Sequence, residues 1–295
     1  MARPVMFNGR LAKNELDTWL NLLNETSPSG YVDRSLANAF LQLPESISFA
    51  SSIENKIIGG TSIYRDRTRL AMVLASVAVF KEFRESSGYQ IVKSSLPFFK
   101  TVAIRDVDAL VSLETKKNTL GFPLSLELDS WVTDIIRRIG FSENEHLEHY
   151  SFTIREGVRE KSVQWVNVEN EEQVRELIWN QSRQMGLVNS IVWLTRDFAA
   201  YRNCLVNIFD EERIKAVAGF WNLSNSLCVT PLLIDPDSIS WREIADSLIV
   251  QASGRDVNQI ELPLIGKGQL ELIQELERRC DISSCRKLLL LRKSL

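Results

Sequence analysis

The run Leu70-Ala-Met-Val-Leu-Ala-Ser-Val-Ala-Val-Phe80, followed by Lys81-Glu-Phe-Arg-Glu-Ser-Ser-Gly88 and then by Tyr89 to Phe99, decides the fold. The first part is unbroken and apolar and reads as a buried strand; the second reads as a turn and the third as a helix. A strand, a loop of small residues and a helix N-terminus in that order form an anion-binding arrangement. The first helical turn has unpaired N–H groups and the positive end of the helix dipole, so backbone alone can hold phosphate oxygens. The same residues also serve as a plain strand-to-helix connection, because Ser and Gly turn easily and cap helices.

Upstream of this stretch, Val5 to Phe7 reads as a short strand and Ala12 to Glu25 as an amphipathic helix, with Leu16, Trp19, Leu20 and Leu23 on one face. Val32 to Leu43 reads as a second helix. Ser46 to Ile53 and Lys56 to Tyr64 form a hairpin about Glu54-Asn55. Downstream, Ala109 to Glu114 is a strand, Ser130 to Ile139 a helix stopped by Gly140, and His149 to Ile154 the last strand of this half. Pro97 predicts a kink late in the helix that begins at Tyr89.

The second half repeats the order. Val163 to Val168 is a strand, Glu171 to Met185 and Arg196 to Arg202 are helices, and Leu205 to Phe209 with Arg213 to Trp221 make a hairpin. Leu227 to Ile234 is the next strand, Trp241 to Ala252 a helix, Gln259 to Leu264 a strand, Gly268 to Arg279 a helix, and Arg286 to Leu291 closes the chain. This is a duplicated fold. The polar segment Arg155 to Ser162 divides it into residues 1–157 and 158–295.

Charge is balanced: residues 1 to 157 carry 18 Lys+Arg against 19 Asp+Glu, and the remainder 17 against 19. Such balance argues against nucleic acid as a partner. No stretch reaches the ~18 uninterrupted apolar residues of a membrane span, and the first residues do not form a signal peptide, so the expectation is a cytoplasmic protein. Cys204, Cys228, Cys280 and Cys285 lack a paired C-x-x-C pattern and read as reduced packing residues, with a Cys280 to Cys285 contact left open. His146-x-x-His149 reads as part of a solvated hairpin rather than a metal site. The tryptophans Trp165, Trp179, Trp193, Trp221 and Trp241 all fall in the second half, as packing residues or as the lining of an acceptor pocket.

The element order, with the residues after Val79, resembles the GNAT superfamily, the Gcn5-related N-acetyltransferases. The family's phosphate-loop signature, [Q/R]-x-x-G-x-[G/A], matches Arg84, Glu85, Ser86, Ser87, Gly88 and Tyr89. Its downstream Asn and helix ending match Asp129 and the run from Trp131 to Gly140-Phe141. The resemblance implies an α/β fold of two tandem GNAT-like domains, each a mixed, mostly antiparallel sheet flanked by helices. It also implies acetyl-CoA or another acyl-CoA as co-substrate, held by Val77, Val79, Arg84, Glu85, Ser86, Ser87, Gly88, Tyr89 and Asp129, and a small-molecule or peptide amine as acceptor.

Departures from the pattern carry equal information. Ser87 stands where a glycine is expected, and Tyr89 where Gly or Ala lets a helix approach phosphate. Ile136 replaces the tyrosine that protonates the leaving thiolate in many family members, and Glu114, at the end of the next strand, is the acid nearest the strand that carries the site: the catalytic candidate, or a solvated strand-end carboxylate. The segment Ile234-Asp-Pro-Asp-Ser-Ile-Ser-Trp-Arg-Glu243 lacks glycine and places Asp235 and Asp237 where an anion would sit, so the second half is expected to have no CoA site of the usual form. Two functions follow as expectations: an acyl-CoA-dependent N-acyltransferase working through the first half, or a non-catalytic protein that keeps the fold for ligand binding or association.

Overall fold

The computed structural model describes residues 5–26, 34–96, 103–113, 127–128, 130–155, 163–167, 170–187, 189–210, 213–223 and 225–295. The chain divides into two units, Met1–Asn144 with Leu288–Leu295, and Glu145–Lys287.

In the first unit β1 (Met6–Arg10), β2 (Ser46–Ile53), β3 (Lys56–Asp66) and β4 (Ala71–Val79) pair antiparallel in that order. The β2–β3 turn falls at Glu54 and Asn55, which take φ values of 50° and 64°, the left-handed pair that a two-residue hairpin loop needs. Next, β5 (Asp106–Ser112) runs parallel to β4. The expected helices appear as α1 (Leu16–Thr26) and α2 (Arg34–Gln42). Gly60 lets α1 sit close to the sheet: a Cβ there would lie 2.5 Å from the Trp19 ring. On the opposite face α3 (Arg84–Ser94) and α4 (Ser130–Ile139) enclose a core that includes Met72, Leu74, Val107, Val111, Val132 and Ile136.

The second unit repeats this order with β8 (Val166–Asn167), α5 (Glu171–Gln184), α6 (Ser190–Tyr201), β9 (Leu205–Asp210), β10 (Arg213–Leu223), β11 (Ser226–Ile234), α7 (Trp241–Ser253), β12 (Gln259–Ile265) and α8 (Leu270–Glu277). As with β4 and β5, the strands joined through a helix, β11 and β12, pair parallel. Helix α6 starts earlier than its expected Arg196, because the Asn189 side chain accepts hydrogen bonds from the N–H groups of Ile191 and Val192 and caps it there.

The closing strands are exchanged relative to expectation. His149 to Ile154 is the end of β7 (Ser142–Ile154), which pairs with β12 of the second unit. The closing segment lies in β13 (Cys280–Ser294), whose Leu288–Ser294 stretch pairs with Ser112–Asp106 and completes the first unit. Four successive leucines, Leu288 to Leu291, suit a strand covered on both faces, and each is at most 1% exposed. Of the expected boundary segment, residues 156–162 lie outside the described residues.

Candidate functional site

In both units the parallel strands meet over only three residue pairs and then part. In the first unit the bridges are Ala71↔Asp106, Met72↔Val107 and Val73↔Asp108; in the second they are Ser226↔Gln259, Leu227↔Ile260 and Cys228↔Glu261. Each divergence leaves backbone groups of β4 or β11 without a strand partner, and these must find others. An acidic residue stands at the last bridged position of both units, Asp108 and Glu261.

Three features fill the first opening. Strand β6 (Glu127–Leu128) pairs parallel with β5 at Leu110 and Val111. The other edge of β5 at those residues is taken by Leu290 and Leu289 of β13, so β6 lies on the β4 side, inside the divergence. Leu128 is 5% exposed and joins the core. Second, Arg84 reaches back: its Nε donates to the Val79 carbonyl at 3.3 Å, its Nη2 to the Thr26 carbonyl at 3.4 Å, and its guanidinium lies 5.0 Å over the Trp131 ring. Burial holds this guanidinium below the usual arginine range. Third, Gly88 is buried against α4, where a Cβ would come within 3.0 Å of Trp131 and 3.2 Å of Ile135.

The expected turn at Lys81 to Gly88 is therefore helical. A 3-10 turn at Lys81–Phe83 runs directly into α3, so Arg84, Glu85, Ser86, Ser87, Gly88 and Tyr89 all lie on the helix. Lys, Glu and Arg at positions 81, 82, 84 and 85 favour helix, and only Ser86 to Gly88 suggested a turn. Glu85 and Ser86 face solvent, and the Ser86 and Ser87 hydroxyls are 3.3 Å apart. Tyr89 packs on the core beneath Arg138, at 5.1 Å, and Lys93, at 5.5 Å. Val79 is fully buried and Val77 half-buried. Ile136 is fully buried, with no group that transfers a proton. Glu114, Asp129 and Pro97 lie outside the described residues.

The second unit closes its opening differently. Helix α7 begins in a capping box, Ser240 Oγ accepting from the Glu243 N–H while Glu243 Oε2 accepts from the Ser240 N–H. Asp235 accepts from the Asp237 N–H and the Ser238 hydroxyl in the same turn. The Glu243 carboxyl is held below the usual range by these bonds from Ser240. Beyond the divergence, the Leu232 carbonyl accepts from Nε2 of fully buried Gln269 at 2.7 Å, and Gln269 Oε1 accepts from the Gly266 N–H.

Below that opening is a polar network that sequence reading missed. His149 is 2% exposed, which corrects the reading of His146-x-x-His149 as a solvated hairpin; only His146 is exposed. Arg286, 3% exposed, donates to His149 Nδ1 at 2.9 Å. Nδ1 must then be the acceptor, so Nε2 carries the proton and donates to Glu261 Oε2 at 2.5 Å. Ser151 Oγ donates to the same oxygen at 2.6 Å, and Oε1 has no partner among the described residues. In the first unit both oxygens of Asp108 are taken by Arg292, at 2.7 and 3.0 Å. The signal available in sequence was the duplication itself, which sets Glu261 at the position of Asp108.

No family model and no curated protein sequence matches the chain. Solved structures do. A putative acetyltransferase from Pyrococcus horikoshii has a TM-score of 0.66 at 12% identity, over 100% of this chain and 91% of its own. The tandem GNAT protein from the clavulanic acid biosynthesis pathway has a TM-score of 0.63 at 9% identity, over 98% of both chains. The fold is GNAT-like. A GCN5-related N-acetyltransferase from Sphaerobacter thermophilus has a TM-score of 0.60 at 9% identity over 98% of this chain and 95% of its own. The likeness in fold to the tandem GNAT protein takes in both halves of the chain. Among the described residues no group of three His, Cys, Asp or Glu is placed to hold a metal, and no helix is long and apolar enough to cross a membrane.

Proposed function

We propose that this chain is a non-catalytic GNAT-fold protein that serves ligand binding or protein association. What supports the reading best is the occupation of the first unit's divergence by β6. Arg84, the signature residue that keeps its family identity, bonds the Val79 carbonyl, and Gly88 packs against Trp131. The second unit adds Gln269 on the Leu232 carbonyl and three carboxylates, Asp235, Asp237 and Glu243, around the start of α7. Like charge there disfavours a pyrophosphate. Calorimetry of the intact chain with acetyl-CoA and longer acyl-CoA esters tests it. The expected result is no saturable heat; binding tighter than about 0.1 mM with turnover of any amine in a panel overturns it.

The second reading is an acyl-CoA-dependent N-acyltransferase acting on a small amine. Glu261 favours it, because a carboxylate with one open oxygen at the strand divergence is suited to take the proton of the acceptor's ammonium, which leaves the neutral amine to attack the thioester. On this reading acyl transfer rises toward alkaline pH and falls at least ~100-fold in Glu261→Gln.

A further inference from the structure

The sheet of the first unit ends in an open edge. Strand β1 pairs with β2 on one side and with no strand on the other among the described residues. Sheet edges are ordinarily guarded against pairing with another chain by shortness, by lysine or proline, or by a bulge. The edge strand of the second unit is guarded by shortness, since β8 spans Val166–Asn167 alone. Strand β1 has 5 residues, a register that runs unbroken from Met6↔Ile53 to Arg10↔Phe49, and a single charge, Arg10, at its last position. The direction of its free backbone groups is fixed. Leu11, opposite Ser48 in the same register, donates its N–H to the Ser48 carbonyl at 2.9 Å. Bonded pairs alternate along an antiparallel ladder, so Gly9 and Phe7 also bond to β2, while the N–H and C=O groups of Met6, Asn8 and Arg10 point out of the edge. Phe7, Asn8, Gly9 and Arg10 are all exposed.

The side chains along this edge are complementary to a second copy of themselves. Val5, Phe7 and Gly9 share one face by strand alternation. Val5 is 67% exposed and Phe7 66%, and nothing lies within 4 Å of where a Gly9 Cβ would stand. An antiparallel copy with its twofold axis at Asn8 sets Asn8 opposite the partner's Asn8, Met6 opposite the partner's Arg10 and Phe7 opposite the partner's Gly9. Asn8 is the middle one of the outward residues, so this axis alone pairs all of their N–H and C=O groups in both copies. Each Phe7 ring then covers the space over the partner's Gly9, as an aromatic ring compensates an edge glycine. Axes at Phe7 or Gly9 leave an outward residue unpaired and set ring against ring or glycine against glycine. Charge agrees with the axis at Asn8. Arg10 makes no ion pair among the described residues, and beyond the partner's Met6 lies the end of β2, followed by the exposed carboxylate of Glu54. The cation nearest that turn, Lys56, stands one strand farther away.

We propose that β1 is a homodimer edge, through which two copies of this chain pair antiparallel from Met6 to Arg10 about an axis at Asn8. The inference stands on the edge strand alone and goes beyond both readings of function. So short a ladder falls below the ~1,200 Å² of a stable interface, and the expected dissociation constant is about 10–100 µM. Sedimentation velocity of the full chain from about 1 to about 300 µM is expected to show a monomer–dimer equilibrium in that range. Asn8→Pro removes the central outward N–H and costs the monomer only the bond from the Ser51 hydroxyl to Asn8 Oδ1. It is expected to weaken dimerisation at least ~10-fold while the melting temperature of the dilute protein falls by no more than a few degrees. Disulfide trapping in a Cys285→Ser background, which removes the exposed thiol, reads the register. Asn8→Cys sets the two copies of that position about 5.5 Å apart at Cα, within disulfide range, and is expected to cross-link on oxidation. Phe7→Cys has its own copy at the diagonal position, about 7–8 Å away, and is expected to cross-link at least ~10-fold more slowly. If Asn8→Pro fails to fold, trapping alone decides. A chain that stays monomeric at the highest concentration, as it would if the edge takes a strand of a different protein, overturns the assignment. So does a dimer that Asn8→Pro leaves unchanged, no trapping by Asn8→Cys, or trapping by Phe7→Cys at the same rate.

Discussion

At Gly88 two requirements meet, a helical backbone and a contact with Trp131 that leaves 3.0 Å for a Cβ. Gly88→Ala gains up to about 1 kcal/mol of helix propensity and incurs an overpacking cost of about 1–3 kcal/mol. The expected net is a loss of about 1 kcal/mol in urea unfolding, recovered when Trp131→Leu is combined with it. Asp108 presents a different balance, since it is fully buried and both its oxygens are bonded by Arg292. Replacing Arg292 by Met strands that charge and is expected to destabilise by about 3–5 kcal/mol, whereas Asp108→Leu with Arg292→Met together costs much less. The Cys280 thiol is pushed up from 9.0 to about 11, by burial first, so the folded state favours its neutral form. Its contribution to stability is whole below about pH 9 and is lost as pH rises through about 11. Between those limits the melting temperature of the natural chain should fall relative to that of Cys280→Val as the pH rises. Exposed Cys285 is expected to be alkylated well before buried Cys228, whose thiol lies well above its ordinary range.

Single elements show what could be read in advance. The hairpin at Glu54-Asn55, the amphipathic α1 and the strand from Ala71 to Val79 follow from periodicity and turn chemistry, and the duplicated order follows from them. The N-terminal end of α3 reads as a turn in sequence because Ser86, Ser87 and Gly88 are turn residues by composition. In place they serve a helix, with Gly88 spent on helix-to-helix approach. Nothing in the local pattern of Glu127-Leu128 announces a strand, since its partner is the edge of β5 that the divergence from β4 opens. The candidate site was legible only as a resemblance, and the groups that fill it, Trp131 and Gln269, act through contacts far along the chain. The α7 capping box is a local device by contrast, and Ser240→Ala is expected to cost about 1 kcal/mol in chemical unfolding. The Glu243 carboxyl, held low, contributes stability that is present above its ordinary range near 4.5 and lost as pH falls below it.

For the whole molecule, the return of Leu288–Leu295 to the first unit decides how the chain can be divided. A fragment of residues 1–157 lacks the strand that covers β5 from Asp106 to Ser112, so its backbone edge and the apolar faces of Val107 to Val111 are left open. It is expected to aggregate, and a peptide of residues 286–295 added in excess is expected to restore a soluble, cooperatively melting species. The same arrangement bears on the order of synthesis. A ribosome extrudes the first unit early, but the strand that finishes it leaves the exit tunnel only after the whole of the second unit has been made. Until release, the early half must persist as an incomplete sheet, held by contacts among β1 to β5 alone. Pulse-labelled nascent chains arrested before Leu288 should therefore be cut by protease within the first unit, and chains in which Leu288 to Leu295 have cleared the tunnel should not.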